Sequence, residues 1–416
     1  MHALRRRICQ ALTILVFTDG AYILCRSLAA LSLRLQHHAP TFPGCPDTYC
    51  DFSVFWLAGR LATTQGAASV YQSAHFFAAA ARMLPHEIYG MPFMYPPPML
   101  PLIVLISRPP LALGYYAFMA ASLTAAILLL RRARLPWACI AAGLLGPAGL
   151  WCVYLGQFGI LCSALLITGL ALVESRPAQG GALLALLCIK PQYALLAPII
   201  LLARGNFRAL AGAAITFAAL LALALWSFGW TAWAAFLGAG SETIRALLQE
   251  PFMVSPARAG ISVFWMARSI GASVAAAYAL QCAAAALAAA FTWQLWRREA
   301  VAANTRIAIT ICLALLATPY GYTDDMVGYS IACALLMRRD APVTTLLLAL
   351  LWLAPAYIGH FAVTFGFLPT PLCSIAVTLI GWQRLRVATL PASPAPTGRQ
   401  GGPVLFGTQS PSHRFR

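Results

Sequence analysis

RRRICQALTILVFTDGAYILCRSLAALSL, residues 5–33, opens with three arginines and continues as a largely apolar run from Ile8 to Leu33, interrupted only by Asp19 and Arg26. A signal-peptide core is roughly 7–15 residues long, so this run exceeds one. It reads as a first membrane helix whose arginines stay on the cytoplasmic side. The rest of the chain agrees. Of 416 residues, 61% are hydrophobic and only 9% charged, with a mean hydropathy of +0.77, which excludes a soluble domain with a solvated surface. At ~20 apolar residues per spanning helix, roughly ten to thirteen helices fit. The expected fold is an all-α polytopic membrane bundle over residues 1–386, with short re-entrant segments.

The net charge of +17 would suggest nucleic acid in a soluble protein, but here the bases fall in short clusters between apolar runs. The main later clusters are Arg131, Arg132 and Arg134; Arg176; Arg204 and Arg208; Arg297, Arg298 and Arg306; Arg338 and Arg339; Arg384 and Arg386. One zigzag puts them all in the cytoplasm. It leaves outside the segment 35–95, the turn at Gly156 and Gln157, the stretch 229–260, the turn 319–325 and a short turn near Phe367. Nucleic acid is excluded as a partner, and membrane lipids are expected.

Within the first outer segment, Val54, Leu57, Ala58 and Leu61 stand at helical spacing beside Phe52, Phe55 and Trp56, which predicts an amphipathic helix at the interface. Trp226, Trp230 and Trp233 predict aromatic anchors at headgroup level in the second. Two apolar stretches are not simple spans. Residues 96–106 begin with three prolines, a stiff entry rather than a helix interior, and 181–203 is interrupted by Lys190 and Pro191. Arg176 and Arg204 flank the latter, so it is expected to be a bent hairpin with its tip at Ile189–Gln192. Beyond Val387 a Pro, Ser and Gly-rich stretch, residues 387–416, predicts a disordered cytoplasmic tail. Of twelve cysteines, ten lie in or at the ends of apolar runs, whereas Cys45 and Cys50 share a polar outer loop where they could close a disulfide.

The polar residues of so apolar a chain are the candidates for chemistry. Asp51 begins the predicted outer helix; spacing alone favours a helix cap, and the functional alternative is a general base. Lys190, the only lysine, interrupts an apolar run beside a helix-breaking proline. Snorkelling to the interface is one reading; the freed backbone groups favour an internal polar site, where a lysine suits a phosphate. Asp324 and Asp325 follow Tyr320 and Tyr322 on an outer turn, and can bind sugar hydroxyls, hold a cation or cap the next helix. Tyr95, Gln157 and Gln192 are further candidates for substrate contacts, and Arg60, Arg245, Arg258 and Arg268 are outer-face arginines able to meet a phosphate or lipid headgroups. Taken singly, Asp19, the pair Gly156-Gln157, His75, His86 and His360 read as structural or interfacial rather than catalytic. With no zinc pattern, phosphate loop or dinucleotide fingerprint, neither a metal nor a soluble cofactor is expected.

These pieces occur in an order that resembles glycosyltransferase family 87: DFSVFWLAG at 51–59, Val70-Tyr71, YPP at 95–97 with PL at 101–102, LGQ at 155–157, IKPQ at 189–192, and TPY at 318–320 followed by YTDDM. The resemblance implies a GT-C-like bundle that uses a polyprenyl-phosphate sugar at an extracytoplasmic active site, with the base role falling on Asp51. The family includes mannosyltransferases and arabinofuranosyltransferases, and mannose is the expectation taken here. Members often carry a histidine or a Tyr-Asp pair near the turn 318–326; this chain has no histidine there, leaving Asp324 and Asp325 as alternatives. The partners implied are a polyprenyl-phosphate sugar donor and a lipid-linked or cell-envelope glycan acceptor. A secondary transporter or lipid-sugar flippase, with Lys190 and Asp19 on a charged pathway, is the competing expectation.

Overall fold

The computed structural model describes residues 2–37, 50–84, 91–252 and 257–388, and these residues form helices with no strand among them. Four helices are long and apolar enough to cross a bilayer: Ala3–Ala29, Leu111–Arg132, Phe207–Gln249 and Val274–Arg297. Two bent pairs raise that number to six if each is one span. Trp137–Leu144 and Pro147–Leu155 meet at 51°, and Pro342–Ala356 and Ile358–Phe365 at 72°. Pro147 opens the second half of the first pair, because a proline costs no hydrogen bond at a helix start. Five shorter apolar helices complete the set, at Pro97–Ile106, Gly159–Ser175, Pro177–Ile189, Pro191–Arg204 and Ala303–Ala317. The ten to thirteen expected helices thus divide into full-length spans and shorter or broken pieces.

Length and position are related. Gly159–Ser175 and Ala303–Ala317 are apolar all round and buried on nearly every face, as a helix without a polar stripe must be. The long helices lie outside them and turn Leu128, Ile215, Trp226 and Leu287 outward. Small residues bring Pro177–Leu186 against Phe207–Ala235. A Cβ added at Gly181 would stand 1.9 Å from the Ala209 carbonyl oxygen, and one at Gly212 would stand 2.1 Å from that of Ala178. At one end of the bundle Glu174 pairs with both Arg204 and Arg306, and Arg306 also donates to the Arg298 carbonyl at 2.7 Å. Two of the expected basic clusters, Arg204 with Arg208 and Arg297, Arg298 with Arg306, therefore meet at that end.

Two expectations change. The helix predicted at the interface forms as Cys50–Thr64, but Phe52, Phe55, Leu57, Ala58 and Leu61 are all buried in the core. Its apolar residues occupy more than one face, and Gly59 admits the backbone of Ile103 so closely that a Cβ would stand 2.4 Å from that carbonyl oxygen. The stretch 229–260 is helical as far as Gln249 rather than a loop. Gly229 absorbs a kink at φ 68°, a conformation open to glycine, and a π-helical turn at Phe236–Gly240 leads into Ser241–Gln249. The Trp226, Trp230, Trp233 spacing was itself helical, and Trp226 and Trp230 remain exposed. The other ten cysteines are free, whereas the Cys45–Cys50 bridge lies outside the described residues, as do His86 and the tail beyond Ala388.

Candidate functional site

Breaks in helices carry the polar residues inward. Gly156 ends Pro147–Leu155 in a left-handed turn, φ 72°, and this presents Gln157. Lys190 stands between two short 3-10 turns, Leu187–Ile189 and Pro191–Tyr193, because Pro191 cannot continue the helix. Pro96 and the prolines after it fix Tyr95 at the entry to Leu100–Ile106. A further 3-10 turn, Thr323–Met326, holds Asp324 and Asp325. Gly159 lets that turn approach the start of the central helix, since a Cβ there would stand 2.1 Å from the Asp324 carbonyl oxygen.

These segments converge on one buried network. The Gln157 amide donates to Asp51 Oδ2 at 2.6 Å, which joins two residues 106 positions apart. Gln157 Oε1 faces Phe158 N at 3.3 Å, Tyr95 Oη at 3.4 Å and Lys190 Nζ at 3.5 Å. Lys190 in turn pairs with Asp325 and, at 3.4 Å, with Asp324. Tyr193 Oη donates to Asp325 Oδ1 at 3.0 Å, and the Tyr322 N–H donates to Oδ2 at 3.2 Å. Aromatic rings wall this cluster: Phe55 packs against Tyr95 and Phe158 at 5.2 and 5.0 Å, and the Tyr71 hydroxyl bonds the Tyr95 carbonyl at 3.0 Å.

Three carboxylates, Asp51, Asp324 and Asp325, therefore face one ammonium. Burial pushes the Asp51 carboxyl up to about 6, against the Gln157 hydrogen bond and the Lys190 charge, which favour ionisation. Burial raises Asp324 too, helped by its neighbour Asp325. Alongside lies a narrow cleft of about 20 Å3, room for about one water-sized group, bordered by Gln192, Tyr193, Thr318, Tyr320 and Asp325. Leu166, Ile311, Ala314 and Leu315 form its apolar wall.

Of the expected site residues, Asp51, Tyr95, Gln157, Lys190, Asp324 and Asp325 come together, while Gln192 and Tyr320 border the cleft. The expectation of an ammonium free for phosphate changes, because Lys190 is 2% exposed and already engaged by two carboxylates. Arg268 donates to the Ala272 and Glu250 carbonyls, so it ties backbone together. Arg60 stacks over Trp56 at 5.5 Å instead of joining the cluster. Arg258 is half-buried two residues before Gly260, whose backbone bridges to Tyr322, and it has no hydrogen-bond or ion-pair partner among the described residues. Asp19 accepts from the Tyr357 hydroxyl at 2.6 Å and, among the described residues, shares no hydrogen-bond network with Lys190, so the two do not form the joint charged pathway of the competing expectation. Tyr193 escaped the sequence reading, although it directly follows IKPQ. Among the described residues no group of His, Cys, Asp or Glu is arranged to hold a metal.

The model of glycosyltransferase family 87 matches residues 93–319, more than half of the chain. The match takes in Tyr95, Gln157, Lys190 and Tyr193, while Asp51 and the Asp324–Asp325 pair join them through space from outside it. Among curated proteins and among solved structures, nothing matches this chain.

Proposed function

The chain belongs to glycosyltransferase family 87, and on that premise we propose that this multi-pass membrane glycosyltransferase moves a sugar, mannose by preference, from a polyprenyl-phosphate donor to a lipid-linked or cell-envelope glycan acceptor. The reaction takes place at the extracytoplasmic face and inverts the anomeric centre. One observation carries this reading: Asp51, Gln157, Lys190, Asp324 and Asp325, distant in sequence, meet in one buried network beside a cleft.

Asp51 acts as general base. It takes the proton of an acceptor hydroxyl, the oxygen attacks C1 from the face opposite the phosphate, and the C1–oxygen bond breaks with its electron pair leaving on the phosphate. A single displacement turns a β-linked donor into an α-linked product. The excess of carboxylate over ammonium favours hydroxyl groups and a sugar ring that becomes positive in the transition state. A phosphate fits poorly inside such a cluster. We therefore assign the donor phosphate to Arg258, with Arg60 as the other candidate, and give Lys190 the task of holding the acids. Tyr95, Gln192, Tyr320, Tyr322 and Asp324 are assigned to sugar and acceptor hydroxyls.

The test compares wild type with Asp51→Asn at matched protein levels, in membranes supplied with polyprenyl-phosphate mannose. Removing the base is expected to slow transfer by about 10²–10⁴-fold. Equal activity in the two would reduce Asp51 to a structural acid, and no turnover by either would reject mannose and move the trial to other lipid-linked sugars.

A further inference from the structure

Gln157 is the only residue joining Asp51 to Lys190 by hydrogen bonds among the described residues. Its amide orientation follows from the chemistry around it. Lys190 Nζ and the Phe158 N–H can only donate, so the oxygen must face them, and the NH₂ group is left pointing at Asp51. On that side it makes the shorter contact, 2.6 Å, to a carboxylate that can accept but not donate once ionised. Donors gathered on the amide oxygen polarise the amide and strengthen its N–H as a donor. The side chain is itself fixed: Gly156 sets the turn, the Cys152 thiol bonds the Gln157 carbonyl at 3.2 Å, and only 6% of the residue is exposed.

We propose that Gln157 is the positioning residue of this site, holding the Asp51 carboxylate ionised and aligned through an amide locked by Lys190, Tyr95 and the Phe158 N–H. This role replaces the direct substrate contact expected from sequence, and its bearing on catalysis rests on Asp51 being the base. Other groups act on Asp51 across the cluster: Lys190 favours its charge, whereas Asp324 and Asp325 oppose it, and the hydroxyls of Tyr95 and Tyr322 face the same interior. Gln157 differs from these in touching the carboxylate.

The experiment titrates Asp51 directly by infrared spectroscopy of the full chain in lipid nanodiscs, following the carboxyl band that disappears in Asp51→Asn. In Gln157→Met the midpoint is expected to rise by about one pH unit, since a buried carboxylate loses its hydrogen-bond donor. Tyr95→Phe, which frees the amide on its oxygen side, is expected to shift it less, in the same direction. In the transfer assay Gln157→Met should lower kcat, leave KM near wild type and move the acid limb upward. An unmoved band overturns the proposal, as does a raised KM with an unmoved limb, the mark of a substrate ligand. If Gln157→Met does not fold, Tyr95→Phe alone decides, and no upward shift overturns the proposal. Full activity in Asp51→Asn would end the base reading while leaving the infrared result to stand or fall by itself.

Discussion

Asp325 accepts from Lys190, Tyr193 and the Tyr322 N–H, whereas Asp324 has one 3.4 Å contact with Lys190. Replacing Asp325 by Asn should therefore lower stability by about 3–5 kcal/mol, the cost of breaking a buried pair, and Asp324→Asn by less than about 1 kcal/mol. Thermal unfolding in detergent separates the two, and similar losses would contradict the ranking. Asp51 gives a pH dependence of two signs. Its carboxyl is raised from the ordinary aspartate range to about 6, so its protonated form favours folding below about pH 4, and that contribution is lost as pH rises through about 6. If Asp51 is the base proposed above, activity runs in the opposite direction, because a base must be ionised, and the acid limb of kcat/KM should rise through about pH 6. A flat profile from pH 5 to 8 would exclude this acid as the group that titrates. Asp51 and Lys190 stood out in the sequence because each charged group in an apolar chain needs a reason to be there, whereas Gln157, which read as structural by itself, stood out only as part of LGQ. Tyr193 was not, since one tyrosine next to an apolar run signals nothing until its hydroxyl is seen against Asp325.

At the scale of elements, glycine sets the closest helix crossing. Gly181→Ala would place a methyl against the Ala209 carbonyl, a backbone atom that cannot swing away, so the helices must separate. The expected loss is about 1–3 kcal/mol, as for overpacking elsewhere. Gly238→Ala, with nothing within 4 Å of the added Cβ, is the control and should be neutral or slightly stabilising on thermal unfolding. The helix breaks at Lys190 and at the triple proline were legible because proline dictates them locally. The burial of Cys50–Thr64 was not, because a helix with mixed faces looks the same in sequence whether lipid or protein covers it. Gly229 gave no warning either: a lone glycine ends one helix and only bends another.

For the whole molecule, composition was enough to read a polytopic helical bundle, while the meeting of residues over 100 positions apart depends on packing that no local pattern encodes. One end of the bundle depends on Glu174, whose carboxylate serves both Arg204 and the almost fully buried Arg306. Glu174→Gln leaves Arg306 without its counter-charge and, with Glu174 itself half exposed to solvent, should cost about 1–3 kcal/mol, with faster hydrogen exchange in the helices ending at Arg204 and beginning at Ala303. Unchanged exchange there would mean that the carbonyls of Arg298 and Glu299 suffice. The cluster at the site has a consequence of another kind. Lys190 is the chain's single side-chain amine, and it is closed in at 2% exposure. An amine-reactive dye that spares the folded protein's interior can label this position only when the cluster opens, so the rate of dye incorporation at one residue becomes a clock for how often this buried network breathes.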